Sequence, residues 1–173
     1  MPGSAGSIQT GKDPADLVYT DPLTGLGNQR RFVDKVERLK ADRAEDPAPF
    51  TIGIIDLDGF KPINDIYGHP AGAALLQAVA ATLMSRVRAS DVVARLGGDE
   101  FCVLMWNADQ NLVAAKALEL ETIIAQARVE YNGAHLSVGA SAGGVALKAG
   151  VTAADLIAAA DRAMYARKKA KRG

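Results

Sequence analysis

The chain has 173 residues, 49% of them hydrophobic and 23% charged, proportions that suit one globular domain and exclude a second large one. Twenty basic side chains balance twenty acidic ones, so there is no general electrostatic pull toward nucleic acid or a membrane surface, and an anionic ligand has to be held by locally placed groups. The single cysteine, Cys102, rules out an intramolecular disulfide and a cysteine-rich metal site, and fits a reducing compartment.

Charge is segregated rather than absent. From Asp161 to Gly173 six basic residues face one acidic residue, net +5, which leaves −5 on the rest of the chain. The apolar stretches Ala71 to Met84 and Val151 to Ala160 are interrupted or too short for a bilayer, and the N-terminus lacks a signal-peptide layout, so a cytoplasmic domain with no membrane insertion is expected. Residues 1–17 read as a leader or interdomain linker, Gly-rich and polar at the start, and 18–173 as the domain.

In chain order, apolar positions Phe32, Val33, Val36 and Leu39 predict a helix over Asn28–Ala44, stopped before Pro47 and Pro49. Phe50 to Ile55, FTIGII, is a buried central strand. Ala71–Val87 is a helix packed on that sheet. Val92–Leu96 and Phe101–Trp106 form a hairpin around Gly97-Gly98-Asp99-Glu100. Ala108–Ala127 is a helix, Arg128–Tyr131 and His135–Ala146 are strands around Asn132-Gly133, and Thr152–Lys171 is a helix capped by Thr152. This order implies an α+β fold, helices against a mixed, mainly antiparallel sheet. Cys102, Met164 and Tyr165 read as core, Trp106 as packing, His135 as structural and His69 as a helix-start residue.

Two stretches carry chemistry. Asp56-Leu57-Asp58-Gly59-Phe60-Lys61 follows the central strand, and the strand period of two sends Asp56 and Asp58 to one side, within reach of one hard cation. Gly59 permits a turn whose N–H groups can face an anion, with Lys61 adding a point charge. The same residues also suit a solvated acidic loop. At the hairpin tip, Gly97 and Gly98 allow close approach of a ligand to the backbone and place Asp99 and Glu100 beside it; an ordinary turn with an acidic rim fits equally. If the strands are neighbours, Asp56 and Asp99 meet, an arrangement suited to metal-assisted phosphoryl or nucleotidyl transfer.

RLGGDEF (Arg95–Phe101), DLDGFKPINDIYGHPAG (Asp56–Gly72), DPLTGLGN (Asp21–Asn28) and ADRAMYARKKAKR (Ala160–Arg172) together resemble the GGDEF domain of bacterial diguanylate cyclases. The resemblance implies the palm fold of nucleotidyl cyclases and polymerases, and condensation of two GTP into cyclic di-GMP and two pyrophosphates by a homodimer. It implies two Mg²⁺ per active site, with Mn²⁺ able to substitute, held by Asp56, Asp99 and the carbonyl of Leu57. Glu100 and Lys61 join Asp56 and Asp99 as catalytic residues. Gly59, Phe60, Lys61, Asn64, the position of Ala73, Gly97, Gly98, Lys168 and Arg172 would line the GTP site. Arg88 and Asp91, with five residues between the motif and Gly97, match an inhibitory RxxD site for cyclic di-GMP; read without the family, they are a surface ion pair. The partners implied are GTP, cyclic di-GMP, a second copy and an upstream sensory domain, with no nucleic-acid polymer.

The chain departs from the family at Ala73, where an Asp usually accepts hydrogen bonds from guanine. Gln77, one helical turn on, is the candidate substitute acceptor. The alternative function is a GTP sensor or cyclic di-GMP receptor with little turnover, or a cyclase of relaxed base selectivity. Gln29 replaces a usual Arg, and from Val113 to Gln126 the only basic residue is Lys116, which leaves no Arg there for a secondary inhibitory contact.

Overall fold

A computed structural model of the chain describes residues 18–42, 50–106, 110–148 and 150–172. The linker expected at residues 1–17, the end of the first helix with its proline stop, and the start of the helix expected at Ala108 lie outside them.

The elements are α1 (Gln29–Asp42), β1 (Phe50–Asp58), α2 (Phe60–Tyr67), α3 (His69–Arg86), β2 (Val92–Gly97), β3 (Glu100–Trp106), a 3₁₀ turn (Gln110–Leu112), α4 (Val113–Ala125), β4 (Val129–Tyr131), β5 (Ala134–Leu136), β6 (Gly139–Ala146) and α5 (Ala153–Arg172). FTIGII is central, as its unbroken apolar run requires: β1 pairs with β3 on one side and β6 on the other, in the order β2-β3-β1-β6, and all three pairings are antiparallel. A single parallel bridge joins Gly27 to Ala94 at the β2 edge.

Alternation along the strands divides the core between two faces. Ile55, Leu57, Phe101 and Val103 pack with Leu75, Val79 and Leu83 of α3 and Leu120 and Ile124 of α4. Phe50, Ile52, Ile54, Cys102 and Leu104 pack with Phe32 and Val36 of α1 and Leu156, Ala160 and Met164 of α5. Each such fully buried side chain contributes about 1.5–3 kcal/mol of transfer free energy. Asp56 lies on the second face, toward α5.

Two elements and one residue differ from expectation. The strand foreseen over His135–Ala146 is two: β5 turns back on β4 through Asn132-Gly133, whereas β6 joins the main sheet. Helix α2 stands outside the expected elements, because its helical spacing of Phe60, Ile63 and Tyr67 spans only eight residues and is interrupted by Pro62; Pro is tolerated in a first turn, where its missing N–H has no helical acceptor. Tyr165, read as core, is 57% exposed beneath the ammonium of Lys169. Thr152 does cap α5, accepting the Asp155 N–H at 3.1 Å.

Candidate functional site

The antiparallel register places Asp56 opposite Glu100, and the Leu57 N–H donates to the Asp99 carbonyl at 3.1 Å. The tip is turned by Gly97 and Gly98, at φ 147° and 51°, backbone angles that L-residues with side chains rarely adopt. The acidic tip thereby folds back onto the end of β1. Burial and then the negative charge of Asp56 push the Asp99 carboxyl above its ordinary pKa. Burial and then the negative charges of Asp161 of α5 and of Asp56 do the same to Glu100. Sequence reasoning assigned Asp161 no role. It stands seven residues before Lys168 on the same helix, the one available signal.

Helix α5 reaches this cluster because β6 carries no side chain where they cross. A Cβ on Gly143 would stand 2.1 Å from the Met164 backbone nitrogen and 2.4 Å from the Ala163 carbonyl carbon. That approach brings Lys168 onto the Asp56 carboxylate and to 3.9 Å from Asp58. Asp58 is occupied otherwise: Lys171 donates to it at 2.7 Å and the Ser141 hydroxyl at 2.9 and 3.1 Å. Burial alone would raise the Asp58 pKa, but Lys171 and Ser141 outweigh it and the net shift is downward. Asp56 and Asp58 leave the strand on one side as expected, yet only Asp56 stands against Asp99. A cleft of about 290 Å³ opens beside them, lined by Asp58, Gly59, Ser141, Lys168, Lys171 and Arg172. Gly59 is the N-cap of α2 and supplies no side-chain acceptor, so the first-turn N–H groups have no cap there.

The hairpin is anchored from behind. Arg95 donates to the Gly98 carbonyl at 3.1 and 2.7 Å and to Asp21 at 3.1 Å. The Asp21 carboxylate also accepts the backbone N–H and hydroxyl of Thr24, at 2.9 and 2.6 Å. DPLTGLGN and RLGGDEF are thus one network, a link the motifs did not declare. Burial raises the Asp21 carboxyl, the Thr24 and Arg95 interactions lower it, and the lowering prevails.

On the α2–α3 side, Asn64 lies against Gly72, where a Cβ would fall 1.8 Å from its side-chain oxygen. Phe60 is a core residue at 8% exposure, so only its backbone is available to a ligand. Lys61 is exposed and Ala73 half-buried. Gln77 donates its amide to the Leu23 carbonyl at 3.1 Å, which ties α3 to the DPLT loop and leaves the amide oxygen as its remaining acceptor. At the RxxD turn, Asp91 accepts the Arg88 backbone N–H at 2.9 Å, which fixes the carboxylate beside its partner in the motif. Arg88 and Asp91 line a small cleft of about 120 Å³ together with Arg86 and Lys116.

Residues 18–173 match the family described as diguanylate cyclase, GGDEF domain. The chain belongs to this family. The GGDEF domain is similar to the diguanylate cyclase DgcP of Pseudomonas aeruginosa, 36% identical over 163 residues, 93% of this chain but 24% of that protein. Its fold is similar to a sensory box/GGDEF family protein of Caulobacter crescentus (TM-score 0.81, 38% identity, 88% of this chain and 99% of that one). It is similar too to the GGDEF domain of DgcB from Caulobacter crescentus, solved in complex with c-di-GMP (TM-score 0.80, 27% identity, 89% of each chain).

Proposed function

We propose that this GGDEF domain condenses two GTP into cyclic di-GMP and two pyrophosphates as a Mg²⁺-dependent homodimer in the cytoplasm, downstream of a sensory domain. The observation that carries the reading is the meeting of Asp56, Asp99 and Glu100 beside a cleft lined by Lys168 and Arg172 at the uncapped start of α2.

The donor set fits the metal. Asp56, Asp99 and the Leu57 carbonyl offer oxygens only, as a hard divalent cation prefers; the two carboxyls repel where they meet, and the Lys168 ammonium already sits on Asp56 as a cation would. When bound, Mg²⁺ neutralises charge on the reacting phosphates. The chain does the rest. First-turn N–H groups of α2, with Lys61, Lys168 and Arg172, hold the β- and γ-phosphates. Gly97 and Gly98 keep the tip clear for the nucleotide, and Asn64 contacts the base. Glu100, made more basic by its surroundings, takes the 3′-hydroxyl proton as that oxygen attacks the α-phosphorus and pyrophosphate departs. One domain holds one triphosphate, so two phosphodiester bonds need two domains facing each other across a twofold axis.

Arg88 and Asp91 form the site of product inhibition, Arg offering a planar donor fork and Asp an acceptor. Arg88→Ala is expected to raise the concentration of cyclic di-GMP needed for half inhibition at least tenfold with initial rate unchanged; unaltered inhibition would remove the assignment. Ala73 favours a second reading, in which guanine selectivity is relaxed or turnover is lost and the domain senses GTP. Products from GTP, ATP and their equimolar mixture, resolved by mass, separate the readings: cyclic di-GMP alone supports a selective cyclase, mixed products a relaxed one, and GTP binding without product a sensor.

A further inference from the structure

Lys171 belongs to none of the roles assigned above, although its ammonium is held by two strands at once. Its ammonium donates to Asp58 at 2.7 Å and to the Ala140 carbonyl at 2.6 Å, joining α5 to two adjacent strands, β1 and β6. The acceptor on β1 is itself fixed, because Ser141, fully buried, donates its hydroxyl to Asp58. Two of the three ammonium protons are thereby committed to protein. On the helix side, Lys171 is one residue from the end of α5, where the last carbonyls lack partners and the final turn tends to fray. Lys168 and Arg172 flank it in that turn and line the same cleft.

We propose that Lys171 is a positioning residue that straps the last turn of α5 to β1 and β6, so that Lys168 and Arg172 are held ready over Gly59 for a triphosphate. A loose turn would place both cations only part of the time, and binding would carry the entropy of ordering them. The proposal rests on the triphosphate reading of the cleft.

Amide exchange of residues 168–172 and affinity for α,β-methylene-GTP with Mg²⁺, an analogue that cannot release pyrophosphate, test it together. Lys171→Met should speed exchange in that turn about tenfold and weaken the analogue about fivefold, with kcat at saturating GTP within about twofold of wild type. Lys171→Arg should restore both, and Asp58→Ala, which removes the acceptor at the other end of the strap, should loosen the same amides. Weakened binding with unchanged exchange would overturn the strap in favour of direct phosphate contact. Faster exchange with unchanged binding would overturn its role in the site. Failure of the wild type to bind the analogue would defeat the triphosphate reading itself, and is distinguishable because the exchange difference would persist.

Discussion

Asp99 and Asp58, two acidic residues of one site, are pushed in opposite directions by their surroundings. Asp99 titrates above its ordinary 3.8 because of burial and Asp56; folding therefore raises its proton affinity, its charge opposes folding at neutral pH, and that opposition fades as pH falls through the folded-state value. Asp58 titrates below 3.8, Lys171 and Ser141 outweighing burial, so its contribution to stability is present above 3.8 and lost as pH falls below it. In calorimetry of the metal-free domain, Asp99→Asn should raise the midpoint at pH 7 by about 2 °C, a gain that disappears on acidification. Asp58→Asn should lower it, with the gap closing below pH 3.8; a lower midpoint for Asp99→Asn at pH 7 would contradict the repulsion. Arg95 gives the third case at this scale. Its side chain, 14% exposed, holds both the Gly98 carbonyl and Asp21, so Arg95→Ala should cost about 1–3 kcal/mol in chemical denaturation through the charge-assisted hydrogen bonds it removes, and lower turnover by loosening the tip.

The elements that were legible in the sequence are those whose pattern is local. FTIGII announces a two-faced buried strand, Asn132-Gly133 a tight hairpin, and Thr152 a helix start; each stands where expected. Elements defined by what they meet were not legible. Helix α2 is only eight residues long and contains Pro62, too short a stretch for its apolar spacing to declare a helix, and β5 and β6 read as one strand because nothing in His135–Ala146 records that its halves pair with different partners. At the site, Asp56, Asp99, Glu100 and Lys168 lie together, a grouping that the family resemblance implies and that spacing alone leaves open, whereas Asp161, Lys171 and the Arg95–Asp21 link are contacts between distant segments. Gly143 exemplifies the difference, since one of the two glycines in ASAGGVA is where α5 touches the sheet. Gly143→Ala should force α5 outward, cost about 2–3 kcal/mol and lower the melting midpoint by about 5–10 °C. It should also weaken GTP, because Lys168 rides on that helix; an unaffected affinity would contradict the placement of α5.

For the whole molecule, the balanced formal charge conceals a division of labour: acidic groups gather at the ends of β1 and β3, and basic ones at the end of α5 that meets them. Such opposed charges suit a site that takes a cation and a polyphosphate at once. The chain spans about a quarter of the DgcP relative, 24% of its length. The central claim is that the Asp56–Asp99–Glu100 cluster performs nucleotidyl transfer on GTP. It is tested most directly by incubating the domain and its Asp99→Ala variant, at high concentration to favour dimers, with Mg²⁺ and GTP, and identifying products by mass. The account predicts cyclic di-GMP and pyrophosphate from the wild type and a loss of at least about a hundredfold in the variant, which keeps its fold because the residue stands at a hairpin tip. Undiminished product from Asp99→Ala, or none from a wild type that binds GTP, would contradict it.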